Sequence, residues 1–181
     1  AGLGIDNVLV HVDGPEVPVM DGSALPYVDL LLEAGLQEVR GSKRFLVIRK
    51  EVTVKDGNKV ASVSPGDGLQ ITCSIDFDHP LISTKPFVFN FSERSFRNEL
   101  CAARTFGFLH DVELLRQNGL ALGGSLDNAV VIDGFEIMNP DGLRFADEFV
   151  RHKTLDAIGD LSLIGMPVIG RVSLHRSGHA L

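Results

Sequence analysis

The stretch Phe45-Leu46-Val47-Ile48-Arg49-Lys50-Glu51-Val52-Thr53-Val54-Lys55-Asp56-Gly57-Asn58-Lys59-Val60-Ala61-Ser62-Val63, followed after Pro65-Gly66 by Leu69-Gln70-Ile71-Thr72-Cys73-Ser74-Ile75, decides the fold class. Its apolar and β-branched residues come in short runs, Phe45 to Ile48, Val52 to Val54, Val60 to Val63 and Leu69 to Ile75, with turn signals at Asp56-Gly57 and Pro65-Gly66. The simplest expectation is an antiparallel meander. Towards the C-terminus, Asp76 to Pro86 reads as a loop and Phe87 to Phe91 as a short strand. A helix is expected from Ser92 to about Ala102, a shorter one from Asp111 to Gln117 ending at Gly119, and a strand from Ala129 to Ile132. The longest periodic segment, Phe145 to Ile164, can build an apolar stripe from Phe149, Leu155, Ile158 and Leu161, and a strand from Val168 to Leu174 follows it. Towards the N-terminus, polar Gln37 to Lys43 marks a domain boundary. Before it, Ser23 can cap a helix that has Pro26 in its first turn, an apolar face of Tyr27, Leu30, Leu31 and Ala34, and Gly35 at its end. Alternating Val8, Val10 and Val12 predict a further strand from Ile5 to Val12, broken by Asp13-Gly14-Pro15. Strands before helices, without regular βαβ alternation, favour α+β layers over a doubly wound parallel sheet.

Composition narrows the function classes. Over 181 residues, 44% are apolar and 23% charged, a globular profile rather than a disordered one. No run approaches the roughly 18 apolar residues of a membrane-spanning helix. The formal charge of −7, with Lys and Arg scattered, argues against a nucleic-acid surface. Cys73 and Cys101 lie in apolar surroundings without CxxC spacing and read as buried thiols of a reducing compartment. Ala1 is not an initiator Met, and the opening residues resemble no signal or transit peptide, so the chain is expected to start within a longer protein.

The chemistry concentrates in Arg151-His152-Lys153-Thr154-Leu155-Asp156-Ala157-Ile158-Gly159-Asp160. His152, Asp156 and Asp160 follow at i, i+4 and i+8 and share one helical face. An imidazole and a carboxylate one turn apart can reach one Zn²⁺ at roughly 2.0–2.2 Å, with a third ligand from elsewhere. The bland reading is an ordinary i,i+4 surface pair. Context weighs against it: Lys153 is adjacent, Asp160 lies a turn on, and Ser177-Gly178-His179-Ala180-Leu181 supplies a second histidine. Gly123-Gly124-Ser125 is not a P-loop, because GxxxxGK[ST] is absent.

Further motifs stand along the chain: Ala1-Gly2-Leu3-Gly4-Ile5-Asp6-Asn7, Pro18-Val19-Met20-Asp21-Gly22-Ser23, Asp76-Phe77-Asp78-His79-Pro80, Arg104-Thr105-Phe106-Gly107-Phe108 and Gly123-Gly124-Ser125. With Arg151-His152-Lys153 through Asp160, and Ser177 to Leu181, they resemble the UDP-3-O-acyl-N-acetylglucosamine deacetylase family, zinc-dependent hydrolases of lipid A biosynthesis, along essentially all 181 residues. The resemblance implies a two-layer α+β sandwich. Residues 1–41 would be the last part of a first domain, and residues 42–181 a nearly complete second one with a small βαβ insert at about 104–138. It also implies a cytoplasmic, monomeric enzyme acting on UDP-3-O-(3-hydroxyacyl)-N-acetylglucosamine and releasing acetate.

By the same resemblance, His152 and Asp156 are zinc ligands, and His179 is the catalytic histidine oriented by Asp160. Thr105 holds the tetrahedral oxygen, Lys153 meets the diphosphate and Phe77 offers a platform near uracil. Phe106, Val112, Leu122 and Val131 line an acyl-chain tunnel, and Gly124 also contacts substrate. The plainer alternatives are a surface histidine at 179, a backbone-bonded hydroxyl at 105, a solvated Lys153, and core packing for Phe77 and the wall residues. The third zinc-binding histidine, and the glutamate that serves as base, fall before Ala1 in the family pattern, so residues 1–181 alone are expected to be inactive. A non-catalytic module for a nucleotide sugar or acyl ligand is the competing reading. It has no need of a water-activating metal beside a paired acid.

Overall fold

The computed structural model describes residues 1–117 and 123–181, with the side chains of residues 113–116 left aside. The main sheet uses β1 (Leu46–Val47), β2 (Val52–Asp56), β3 (Lys59–Ser64), β4 (Leu69–Ser74), β5 (Phe87–Asn90) and β9 (Val168–His175). A smaller sheet holds β6 (Phe106–Phe108), β7 (Val130–Asp133) and β8 (Glu136–Ile137). The helices are α1 (Leu25–Ala34), α2 (Glu93–Ser95), α3 (Leu109–Gln117) and α4 (Glu148–Ser162), and α2 runs on into a π-helical turn, Phe96–Leu100. Among the described residues, mixed helix and strand content in two sheets with four helices matches the expected α+β sandwich.

The runs expected between residues 45 and 75 are all present, but they do not form a meander. The strand order is β2-β3-β9-β4-β5, so β9 separates β3 from β4. It pairs antiparallel with β3, through Val63↔Val172, and parallel with β4, through Ile71↔Val172. It also pairs parallel with β1. The reason is visible in β9, whose pattern alternates buried Val168, Gly170 and Val172 with exposed Arg171 and Ser173. A strand that hides one face and has ladder partners on both edges belongs in the middle of a sheet. Gly170 is required there, since a Cβ would stand 2.7 Å from Ile48 Cγ1 and 2.9 Å from the Ser64 carbonyl oxygen.

The strand expected from Ile5 to Val12 does not form. No ladder partner reaches it among the described residues, and Val8, Val10 and Val12 are 60%, 63% and 45% exposed. Alternation alone cannot make a strand without a neighbour to take its backbone hydrogen bonds. The helix after it does form, with Pro26 in the first turn and Gly35 at φ 81° closing it. Val28 is its buried contact while Leu30 stays 54% exposed, so the helix is rotated from the expected face. Ser92 caps α2 with a reciprocal bond to Ser95. Gly119, the expected end of α3, lies outside the described residues.

One core joins Leu3 and Val28 to Ile71, Phe89, Phe96, Leu100, Ile158 and Val172 between the main sheet and the helices. A second core gathers Cys73, Ile75, Ile82, Phe149 and Val150 with Val130 and Ile132 of the smaller sheet. There β6, α3 and β7 form a parallel βαβ unit, in register through Gly107↔Val131. Both cysteines are free and buried, and burial pushes both thiols up. Gly22 locks the N-terminal segment to this unit. Its carbonyl accepts the Thr105 N–H at 2.8 Å, and at φ 81° a Cβ would stand 2.1 Å from the Asn128 carbonyl oxygen. Gly22→Ala is therefore expected to destabilise the fold by about 2 kcal/mol or more in urea unfolding, since backbone strain and a backbone clash act together.

Candidate functional site

α4 carries the site because its length places one polar stripe over an apolar one. Phe149, Val150, Ala157 and Ile158 are buried beneath it, while His152, Asp156 and Asp160 follow one another along a single edge. That edge borders a cleft of about 380 Å³ lined by Phe77, Thr105, Phe106, Gly107, Phe108, Asp111, His152, Lys153, Asp156 and His179. The strand residues come from the start of the βαβ unit and His179 from the segment after β9.

His152 is 13% exposed, with Nδ1 3.0 Å from the Ala103 carbonyl oxygen. A carbonyl only accepts, so Nδ1 carries a hydrogen, and in the neutral ring Nε2 is the nitrogen that holds the lone pair. Nε2 lies 3.4 Å from Asp156 Oδ1. Two ligands of a tetrahedral ion at roughly 2.0–2.1 Å stand about 3.3–3.4 Å apart, so the spacing and the donor types fit zinc. Among the described residues no set of three or more His, Cys, Asp or Glu side chains converges as a metal site. The Lys153 ammonium donates to Asp156 Oδ2 at 2.8 Å.

His179 approaches from the other side. Its Nδ1 donates to both Asp160 oxygens at 3.0 Å, and its Nε2 stands 4.0 Å from Asp156 Oδ2. Asp156 thus lies between the two imidazoles. Chemically, such an arrangement offers two donors able to share one metal ion, beside an imidazole able to hand over a proton.

The remaining expected positions are distributed unevenly. Thr105 and Phe106 line the cleft, and the Phe106 ring packs edge-on against Phe149 at 4.9 Å and His152 at 6.4 Å. Phe77, 36% exposed, packs against Phe106 and Phe108 at the same cleft. Val112 is half-buried beside Gly107, and Val131 is 8% exposed within β7, so neither borders this cleft. Gly124 sits half-buried in the turn before β7. Leu122 lies outside the described residues.

Sequence reading missed Asp111 and Phe108 on the cleft wall, and it missed Glu148. This carboxylate has no exposed surface and accepts from Arg104 N–H (3.0 Å), Arg104 Nε (2.8 Å), Arg104 Nη2 (3.1 Å) and Arg144 N–H (2.7 Å). A signal existed, since Glu148 extends the His152, Asp156, Asp160 series by one turn. Its partner could not be guessed, because Arg104 lies 44 residues away.

Known proteins match this chain along its whole length. The family described as UDP-3-O-acyl N-acetylglycosamine deacetylase matches residues 1–181. A relative of that name from Myxococcus xanthus (strain DK1622) is 58% identical over 181 residues, covering 100% of this chain and 58% of its own length. Relatives of the same name from Anaeromyxobacter sp. (strain Fw109-5) and Haemophilus influenzae (strain 86-028NP) are 54% and 52% identical, each covering 100% of this chain and 60% of its own length. The chain therefore spans about three fifths of the relatives it matches.

Burial pushes the Glu148 carboxyl up, but the bonds from the Arg104 side chain and the two backbone N–H groups outweigh it and hold it below the ordinary glutamate range. A carboxyl depressed by folding stabilises fully above its unfolded value of about 4.3, and that stabilisation is lost as pH falls through the lower folded value. Urea unfolding at stepped pH is expected to show this acid-side loss, and Glu148→Ala should reduce its slope. At neutral pH the same variant should cost about 3–5 kcal/mol by leaving Arg104 buried and unpaired.

Proposed function

Because the chain belongs to the family of UDP-3-O-acyl N-acetylglycosamine deacetylases, we propose that the protein is a zinc-dependent amide hydrolase. It removes the N-acetyl group of UDP-3-O-(3-hydroxyacyl)-N-acetylglucosamine, releasing acetate, in the committed step of lipid A biosynthesis in the Gram-negative cytoplasm. The observation that carries this reading is the donor pair His152 and Asp156 standing beside the imidazole–carboxylate pair His179 and Asp160. Among the described residues no helix is long and apolar enough to cross a membrane.

Zinc held by His152, Asp156 and a third histidine outside residues 1–181 would supply Lewis acidity towards the acetamide carbonyl and a more acidic water. The other tasks fall to protein groups. Hydrolysis adds a water oxygen to the carbonyl carbon, breaks the C–N bond and places a proton on the departing nitrogen. His179 delivers that proton from Nε2, because Asp160 already engages Nδ1 and fixes the ring. Thr105 donates its hydroxyl hydrogen to the carbonyl oxygen as negative charge develops there. In the family pattern the proton lost by water passes to a glutamate, a residue that none of the positions named here supplies.

Lys153 leaves Asp156 to meet the diphosphate, a role suited to a point charge on a flexible stem. Phe77 faces the uracil. Phe106, with Gly124 of the insert, borders the acyl chain, where each buried methylene contributes about 0.8 kcal/mol.

Metal analysis and acetate release by the full-length protein test these assignments together. His152→Ala and Asp156→Ala are expected to lose zinc. His179→Ala should keep zinc, lose roughly 10²–10⁴-fold in kcat, and show no basic limb in its pH profile. Unchanged turnover at every pH would remove His179 from the mechanism. Tight nucleotide-sugar binding without acetate release would favour the non-catalytic module instead.

A further inference from the structure

We propose that Glu148 is a positioning residue for His152, acting through the peptide unit that joins Ala103 to Arg104. The inference rests on His152 being a metal ligand. Both ends of that one peptide unit are held by α4. Its N–H donates to Glu148 Oε1 at 3.0 Å, and its C=O accepts from His152 Nδ1 at 3.0 Å. Glu148 and His152 are one helical turn apart, so they meet the peptide from the same face.

A peptide unit is planar, so fixing the direction of its N–H fixes that of its C=O. The carbonyl direction in turn sets the plane of the His152 ring, and therefore where Nε2 points. A carboxylate on the N–H also polarises the amide and makes its carbonyl a stronger acceptor. That holds the Nδ1–H tautomer and keeps Nε2 free as a ligand. Metal-binding histidines commonly rest on a carboxylate, and here a peptide bond is interposed between the two.

The carboxylate is itself immobilised. It has no exposed surface, and its second oxygen accepts Arg104 Nη2 and Arg144 N–H. Arg104 Nη2 also donates to the Gly142 carbonyl at 2.7 Å. Thr105 follows the peptide directly, and its N–H is bound to the Gly22 carbonyl, which anchors the next backbone unit independently of α4.

The test is Glu148→Gln in the full-length protein, which puts an NH₂ group against the donors that the second oxygen or the first one accepts. Two readouts are taken: the His152 ring tautomer in the metal-free protein, by nitrogen NMR, and the affinity for zinc alone, by equilibrium dialysis. The expected result is a mixed His152 tautomer and zinc affinity lower by about 10–100-fold. Val28→Ala, a core change on α1, lowers the melting temperature but should leave both readouts as in wild type. If Glu148→Gln does not fold, Glu148→Asp, which keeps the charge and withdraws it by one methylene, is read in the same way. A folded Glu148 variant with wild-type tautomer and zinc affinity overturns the proposal. Wild type and His152→Ala binding zinc equally would overturn the ligand assignment instead, while the tautomer readout would still decide the role of Glu148.

Discussion

A carboxylate with no exposed surface, Glu148 against Arg104, is the constraint on which the arrangement of this molecule depends. Burying an ion costs several kcal/mol unless its partners are close and numerous. Here four donors surround two oxygens, and among the described residues no buried side-chain polar atom lacks a partner. The same network reaches the N-terminal segment, because Arg144 pairs with Asp21 at 2.8 Å and bonds the Ser23 hydroxyl and the Ala102 carbonyl. Three stretches far apart in sequence are thereby joined in one network.

The two imidazoles of that cleft live in different surroundings. The His152 side chain is 13% exposed and braced by backbone, whereas that of His179 is 68% exposed and braced by a carboxylate. The contrast suits their proposed tasks. A ligand gains from fixed direction and dry walls, which Phe106 and Phe149 provide. A group that gives up a proton each cycle must recover it from water, and exposure makes that exchange direct.

Much of this was legible because it is local. The i, i+4, i+8 series on α4 needs only helix geometry, and Asp56-Gly57 needs only turn chemistry to predict the β2–β3 hairpin. What was not legible depends on distant partners. Nothing in Leu69 to Ile75 announces that its neighbour is Val168 to His175, and nothing in Glu148 names Arg104. The run from Ile5 to Val12 failed in the opposite sense, with a clear strand pattern and no partner to realise it.

The position of β9 has a consequence for how the chain is made. It contributes ladder bonds to β1, β3 and β4, yet it is synthesised well after all three. About 100 residues separate β4 from β9, which at roughly 5–20 residues per second amounts to about 5–20 s of synthesis. During that interval β3 and β4 each present an open edge to any other strand in the crowded cell, a hazard that ends when β9 slots between them.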